Sequence, residues 1–245
     1  MAADGPAFYD DDDVFATYMA RRQRADNPNE TLEAPAFETA IGKLDGLRIL
    51  DLGCGAASFG RKALDGGART YVGVEGSRKM AAAGRETLRG TSASLIEDRV
   101  ERWSYPTAAF DLVVSRLVLH YIEDLRPVFE NINRTLVEGG RWVFSVEHPV
   151  ITSCSRGWTP GTERQDWLVD DYFSAGARNT SWLGGEVRKY HRTIEDYFSA
   201  MQATGFMVEQ LREARPRPDM FADATTYERR KRIPLFLILG GRKTW

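Results

Sequence analysis

The sequence has few cysteines, no long apolar run and no surplus of charge of either sign. Only Cys54 and Cys154 occur among the 245 residues, so a disulfide framework is excluded and a reducing compartment is the simpler expectation. No segment approaches the roughly 20 apolar residues that a membrane-spanning helix needs. Lysine and arginine number 33 against 35 acidic residues, so no overall basic field would draw the chain onto nucleic acid or anionic lipid.

What remains is typical of a globular protein. Hydrophobic residues make up 42% of the chain and charged residues 28%, as in an ordinary folded domain. Residues 1–13 are acidic and have no apolar core, which is unlike a secretory signal, so we predict a cytoplasmic protein. No membrane association is expected.

From Leu47 onward, short apolar runs alternate with helical patterns. Ser77 and Thr193 are suited to cap helices, and paired glycines end two others. Strands are predicted at 47–50, 70–75, 93–96, 110–115, 141–146, 206–211 and 234–239. This alternation predicts an α/β fold with a seven-stranded, mostly parallel sheet and helices on both faces.

One stretch, residues 149–189, breaks the alternation and is rich in aromatic residues. Loops of this length are uncommon unless they form a lid or binding segment, so we favour a lid; a satellite core under a long loop is the alternative. The segment 14–24 is expected to be a helix that caps the site, or else a dimerisation arm. We therefore predict one domain, 1–245, made of an N-terminal cap (1–45), a core (46–148), an insertion (149–190) and C-terminal strands (191–245).

A glycine turn follows the first strand, and acidic residues flank it. The strand ends in Asp51-Leu52-Gly53-Cys54-Gly55, and the second strand ends in Glu75. Glycines permit a positive φ or a close backbone approach to a ligand, and an acid at the second strand end is placed to bind ribose hydroxyls. Ser58 stands where a dinucleotide motif has its third glycine, and Asp51 would repel a pyrophosphate. A ligand without phosphate is therefore favoured.

Residues 47–147 resemble the class I S-adenosylmethionine-dependent methyltransferases. The segments LRILDLGCGAASFG, YVGVEGS, SLIED, FDLVVSRLVLHYIEDL and LVEGGRWVFSVEHPV are similar, in order, to the motifs of that family. The resemblance implies a Rossmann-like sheet, S-adenosylmethionine as cofactor and methyl transfer. Ala57 replaces a third glycine that many members have, and we expect tighter backbone geometry with cofactor binding retained.

The same resemblance implies roles around the cofactor. Asp51 would attract its ammonium group, Glu75 would hold its ribose, and Glu97 or Asp98 would reach the adenine amino group. Met80 would flank the adenine, or pack in the core. The expected cofactor-binding set is Asp51, Gly53, Cys54, Gly55, Glu75, Gly76, Ser77, Met80, Glu97, Asp98 and Ser115.

An acceptor hydroxyl or ring N–H has to lose a proton during methylation, and histidine is the side chain best suited to take it near neutral pH. His148 is our first candidate for this base and His120 the second, because they follow the fifth and fourth strands. A structural, hydrogen-bonded role is the alternative for each. Residues expected to line the acceptor are Tyr18, His120, Trp158, Trp167, Tyr172, Trp182 and His191. No metal site is predicted.

Nucleic-acid substrates are disfavoured by the motifs. The fourth strand is followed by Ser115-Arg116-Leu117-Val118, not by the Asn/Asp-Pro-Pro-Tyr/Phe of enzymes that methylate nucleobase amino groups, and neither cysteine follows a proline. We predict methyl transfer to oxygen or nitrogen of a small molecule in bacterial, specialised metabolism, by a monomer or homodimer. The alternatives are a non-methylating use of S-adenosylmethionine such as cyclisation, a binding protein without catalysis, and RNA methylation through the basic stretch 229–232.

Overall fold

The computed structural model describes residues 2–159 and 166–244, and a seven-stranded sheet lies at its centre. The strands in these ranges are β1 (Arg48–Leu52), β2 (Thr70–Glu75), β3 (Ser94–Glu97), β4 (Phe110–Arg116), β5 (Leu136–Glu147), β6 (Gly176–Trp182), β7 (Gly185–His191), β8 (Phe206–Glu213) and β9 (Phe236–Lys243). The sheet order is β3-β2-β1-β4-β5-β9-β8, and β9 runs in the direction opposite to the other six strands of this sheet. The predicted mostly parallel, seven-stranded sheet is confirmed.

Helices connect the strands and cover the sheet. They are α1 (Gly5–Tyr9), α2 (Asp12–Arg22), α3 (Ala34–Ile41), α4 (Ser58–Asp65), α5 (Arg78–Thr87), α6 (Arg126–Thr135), α7 (Pro149–Thr152), α8 (Ile194–Ala203) and α9 (Ala224–Arg230). The predicted caps are present: the Ser77 hydroxyl accepts the Met80 N–H at 3.2 Å, and Thr193 forms a capping box with Asp196. In the described ranges, no helix is long and apolar enough to cross a membrane.

Alternate residues of the central strands supply two hydrophobic clusters. In β4, Val113 belongs to the cluster that contains Trp142, whereas its neighbours Leu112 and Val114 belong to the cluster that contains Tyr71. Each large apolar side chain buried in this way stabilises the fold by about 1.5–3 kcal/mol relative to exposure. The sheet therefore has a core on both faces, which leaves its strand ends free to form a site.

The stretch predicted to lack periodicity contains a β-hairpin. Strands β6 and β7 pair from Gly176↔His191 to Trp182↔Gly185. They are joined by Leu183 and Gly184, whose φ values of 50° and 85° match the type I′ turn favoured in hairpins. Leucine is rarely found in this left-handed conformation, so the usual turn signal is absent from the sequence. Residues 160–165 of the predicted insertion lie outside the described residues.

The N-terminal segment pairs with this hairpin. The Ala3 N–H donates to the Glu186 carbonyl at 3.0 Å, and the Arg188 N–H donates to the Ala3 carbonyl at 2.9 Å. Phe8 and Val14 form a small buried cluster with Val187. Residues 3–22 and the hairpin thus make one layer, called the roof below, above the carboxyl ends of the parallel strands.

Candidate active site

A cavity of about 900 Å³ lies between the roof and the carboxyl ends of β1, β2, β4 and β5. This volume is at the upper end of the range for small-molecule sites. We call its two parts the glycine side and the aromatic side. The glycine side comprises Asp51, Gly53, Cys54, Gly55, Glu75, Gly76 and Met80, and the aromatic side comprises Tyr9, His120, Tyr121, Trp182 and Tyr190.

The two glycines of the turn differ in why they are needed. Gly53 has φ 71°, and a Cβ there would lie 2.2 Å from a methyl carbon of Val118. Gly55 has φ 56°, and a Cβ there would meet nothing within 4 Å. Because Gly55 lines the cavity, the open space beside it is available to a ligand. Gly53 is therefore required by packing and Gly55 leaves room for binding.

Glu75 lies at the end of β2 with its carboxylate held by the backbone. One oxygen accepts the Gly55 N–H and the other accepts the Ser77 N–H, both at 2.8 Å. Burial raises the pKa of this carboxyl, although the backbone hydrogen bonds oppose the shift. Each oxygen keeps a further lone pair. The side chain is thus fixed in a position to accept two hydrogen bonds from neighbouring hydroxyls.

Asp51 is 2% exposed and only half satisfied. Its Oδ2 accepts the Tyr71 hydroxyl at 2.7 Å, but Oδ1 is buried and has no partner among the described residues. Burial raises the pKa of Asp51 to about 6, against the effects of Tyr71 and Arg116. A buried oxygen of this kind is costly unless a ligand supplies a donor or a cation.

Beneath this acid, a buried ion pair joins the N-terminal segment to the sheet. Glu33 is fully buried and pairs with Arg116, whose Nε lies 3.2 Å from Oε1. The Ser145 hydroxyl donates to the same oxygen at 2.6 Å. Both Glu33 and Arg116 line the cavity. No sequence pattern indicated this network, although Arg116 directly follows the predicted site residue Ser115.

His120 is the only one of the three histidines, all of them described, that lines the cavity. It is buried, and its Nδ1 accepts the Glu147 N–H at 3.4 Å. Its Nε2 has no partner within the described ranges. Burial lowers the pKa of His120 to about 4, so the ring is neutral at pH 7. Since Nδ1 accepts, the neutral ring carries its proton on Nε2 and offers a donor to the cavity.

His148 and His191 have both ring nitrogens engaged by the protein. His148 caps α7, with Nδ1 accepting the Val150 N–H at 3.2 Å and Nε2 lying 3.1 Å from Glu213. His191 lies 2.7 Å from the Thr152 hydroxyl and 2.9 Å from the Tyr172 carbonyl. Neither lines the cavity. These contacts favour the structural alternative for His148, and the roles of His148 as base and of His191 as an acceptor contact stay predictions.

Comparison with known proteins agrees with this geometry. Residues 50–144 match the family model of a methyltransferase domain. The solved S-adenosylmethionine-dependent methyltransferase from Mesorhizobium loti is 34% identical, over 91% of this chain and 99% of that one, with a TM-score of 0.79. The chain is a class I S-adenosylmethionine-dependent methyltransferase. S-Adenosylmethionine is its cofactor.

Two further relatives of this methyltransferase are informative. An uncharacterized protein from Haemophilus influenzae is 29% identical over 215 residues, which cover 84% of this chain and 85% of that one. The malonyl-[acyl-carrier protein] O-methyltransferase from Legionella pneumophila is 32% identical over 104 residues, which cover 42% of this chain and 37% of that one. The likeness to the Legionella protein is therefore local, whereas the Haemophilus protein matches across most of the methyltransferase.

The cofactor fits the glycine side of the methyltransferase. The unpartnered oxygen of Asp51 matches an ammonium group, and the two oxygens of Glu75 match a ribose diol. Met80 also lines this side and is 3% exposed.

Four residues predicted to bind the cofactor do not line the cavity. Glu97 pairs with Arg85 at 3.2 Å on the surface, and the Asp98 carboxylate accepts the Arg99 N–H at 2.7 Å. Ser77 caps α5 and donates to Asp10 at 2.8 Å. Ser115 is buried, and its hydroxyl has no partner in the described part of the chain. The structure thus places these four residues outside the cavity lining, and their contact with the cofactor stays a prediction.

The aromatic residues of the insertion divide into two groups. Trp182 lines the cavity, as does Tyr18 of the cap. Trp158 and Trp167 instead pack edge to face at 5.5 Å, and the Trp167 indole N–H donates to the Val150 carbonyl at 3.1 Å. Tyr172 packs against His191 at 5.7 Å, away from the cavity. The contacts of Trp158, Trp167 and Tyr172 favour the satellite-core alternative over direct contact with an acceptor, since all three rings are half-buried against other protein side chains.

The methyltransferase has polar groups on its aromatic side that the sequence analysis missed. The Tyr9 and Tyr121 hydroxyls are 3.2 Å apart. Lys189, 3% exposed, donates to Glu147 at 2.7 Å. These residues come from α1, the 3-10 turn Leu119–Tyr121 after β4, β5 and β7, so only the folded chain brings them together. Of these polar residues, only Glu147 could have been noticed in the sequence, because it directly precedes the candidate His148.

Proposed function

We propose that this methyltransferase transfers a methyl group to an oxygen or nitrogen atom of a small molecule bound on the aromatic side. The observation that carries the proposal is the cavity of about 900 Å³ under the roof, which has cofactor-type polar groups on one side and aromatic rings on the other. A cavity of this size, covered by a folded layer, is suited to a small ligand. The name of the Legionella relative specifies transfer to oxygen, which supports that alternative.

On the glycine side we assign the cofactor contacts as follows. Glu75 accepts the two ribose hydroxyls, Asp51 pairs with the ammonium group, and the backbone of Gly53 to Gly55 lies against the methionyl part. Met80 packs against the adenine. The bound cofactor supplies an electrophilic methyl group on a sulfonium. The residues of the chain hold that methyl near the acceptor atom and exclude water, which is where much of the acceleration arises.

The test of this function is a turnover experiment. The protein is incubated with S-adenosylmethionine and a fraction of bacterial small molecules, and mass spectrometry follows both the cofactor and the acceptors. We expect S-adenosylhomocysteine together with an acceptor heavier by one CH₂ unit. A rearranged cofactor without a methylated product would favour the cyclisation alternative. Methylated RNA from a parallel incubation with total RNA would favour the RNA alternative.

The assignment of Asp51 predicts a pH dependence of cofactor binding. The free protein holds this carboxyl with a pKa of about 6, whereas the ammonium group favours its ionised form. The affinity for S-adenosylmethionine should therefore fall as pH drops below about 6, by up to about tenfold per pH unit for one group. Calorimetry between about pH 5 and pH 7.5 measures this slope.

The control for this prediction is Asp51→Asn, which removes the titrating group while it keeps the volume. The variant should bind S-adenosylmethionine more weakly at pH 7.5, and its affinity should depend much less on pH than that of the wild type. Asp65→Asn, at an exposed pair with Arg61, should leave the affinity at pH 7.5 and its pH dependence unchanged. If the Asp51→Asn variant showed the full slope of the wild type, another group would be responsible and the ammonium assignment would be wrong.

A further inference from the structure

The Tyr9–Tyr121 hydroxyl pair presents one free hydrogen-bond donor. The two hydroxyls carry two hydrogen atoms, and their mutual contact at 3.2 Å uses one of them. In the described ranges neither oxygen has another protein partner. Both tyrosines line the cavity. Whichever hydroxyl donates to the other, one O–H is left for a ligand on the aromatic side.

A second donor lies beside this pair. The rings of His120 and Tyr121 are 4.4 Å apart, centre to centre. The Glu147 N–H is directed at Nδ1, which leaves the His120 proton on Nε2, the atom without a protein partner in the described chain. The aromatic side therefore offers an O–H and an N–H close together. Two converging donors are suited to an oxygen atom with more than one lone pair.

The aromatic side offers no buried base. Lys189 Nζ donates to Glu147 Oε1 at 2.7 Å, so the two charges form an ion pair. The same Nζ lies 5.8 Å from the ring centre of Tyr121. Glu123, which also lines the cavity, is exposed and accepts the Tyr190 hydroxyl at 3.2 Å. The buried imidazole of this side, His120, accepts the Glu147 N–H at Nδ1 and so carries a proton on Nε2, which cannot take another. Among the described residues of this side, no unpaired buried carboxylate is placed to take a proton. The aromatic side is therefore not suited to an acceptor that has to lose a proton before it attacks the methyl group.

We propose, on the basis of the methyl transfer proposed above, that the acceptor is a carboxylic acid and that Tyr9, Tyr121 and His120 bind one oxygen of its carboxylate. A carboxylate is already ionised at neutral pH and needs no base. Its second oxygen is free to attack. An amine nucleophile has a single lone pair, which it needs for the attack and cannot offer to two donors.

The reaction that follows is balanced without a proton transfer. An electron pair of the free carboxylate oxygen forms a bond to the methyl carbon, and the carbon–sulfur bond breaks with its electron pair moving to sulfur. The positive charge of the sulfonium and the negative charge of the carboxylate both disappear. The products are a methyl ester and the neutral thioether S-adenosylhomocysteine.

A matched panel of acceptors tests the substrate class. The probes are 3-phenylpropanoate, 3-phenylpropan-1-ol and 3-phenylpropylamine, and the same three head groups on indole and octyl scaffolds, assayed by release of S-adenosylhomocysteine. We expect methylation of carboxylates, with an ester product that alkali hydrolyses. Methylation of an alcohol or amine overturns the proposal, and so does failure of every carboxylate in a protein that binds S-adenosylmethionine by calorimetry. Absence of cofactor binding would instead overturn the proposed function itself.

Phenylalanine variants test the donor pair on whichever carboxylate is methylated. Tyr9→Phe and Tyr121→Phe each leave one hydroxyl that can still donate, so each should lower kcat/KM only a few-fold. The double variant has no such donor and should lose roughly 10- to 100-fold, as expected for a hydrogen bond to a charged group. Its affinity for S-adenosylmethionine should be unchanged. Tyr227→Phe, outside the cavity, is the matched control and should retain full activity. A Tyr9→Phe/Tyr121→Phe double variant with full activity would overturn the assignment of these hydroxyls as donors to the carboxylate.

Discussion

Replacement of Glu75 by alanine should weaken S-adenosylmethionine binding by roughly 100- to 1,000-fold, because two hydrogen bonds to a charged group are lost together. The structure adds a second cause. The Gly55 and Ser77 N–H groups, each 2.8 Å from this carboxylate, would lose their acceptor and the glycine turn would lose its fixed shape. Isothermal calorimetry measures the dissociation constant, and thermal denaturation of the free variant shows whether it remains folded.

Glu97 provides the matched control for Glu75. The two residues are register partners at the ends of β2 and β3, but the Glu97 carboxylate pairs with Arg85 on the surface. Glu97→Gln should bind the cofactor within a factor of about two of wild type, as expected when an exposed ion pair is removed. An equal loss of affinity in both variants would mean that general negative charge, not the position of Glu75, attracts the cofactor.

Glu33→Leu should lower the free energy of unfolding by about 3–5 kcal/mol, the largest effect on stability that we expect from one substitution. Leucine fills a similar volume but leaves the Arg116 guanidinium, 18% exposed, without its counter-ion. The Ser145 hydroxyl would also lose its acceptor at 2.6 Å. Denaturation by urea, followed by circular dichroism, measures the change.

Two comparisons separate the charge from the shape. The double variant Glu33→Leu/Arg116→Met removes both charges, and it should recover most of the stability because no uncompensated ion stays buried. Asp26→Asn breaks the exposed pair with Arg24 and should change stability by less than about 1 kcal/mol. If the double variant were as unstable as Glu33→Leu, the loss of unfolding free energy would come from altered packing and not from the unpaired charge.

The glycine side could be predicted from the sequence because its chemistry is local. Asp51 lies near the end of β1, Gly53 and Gly55 follow that strand, and Glu75 ends the next. Parallel pairing brings such strand ends to the same edge. The family motifs cover the same residues. Side-chain direction could not be predicted from the sequence. Glu97 ends β3 and Asp98 follows it, yet the Glu97 carboxylate pairs with Arg85 on the surface and the Asp98 carboxylate accepts the Arg99 N–H.

On the aromatic side, His120 and Trp182 were predicted and line the cavity, but the Tyr9–Tyr121 pair could not be predicted because long-range packing builds it. Tyr9 and Tyr121 are 112 residues apart in the chain, and no local pattern relates them. His148 illustrates the limit of an argument from strand ends. It follows β5 directly, as the sequence suggested, but its ring turns back to cap α7 and contacts Glu213. The position after β5 determines where the His148 backbone lies. The orientation of its ring is determined by the hydrogen bonds to α7 and to Glu213 of β8.

The pairing of Ala3 with the hairpin also constrains the order in which the chain folds during synthesis. The partners of Ala3, Glu186 and Arg188, are made more than 180 residues later. At about 5–20 residues per second, the N-terminal helices wait roughly 10–40 s for the surface on which they dock. Residues 3–22 are thus made long before the hairpin but reach their native place only after it, and Tyr9 joins the aromatic side only at that stage.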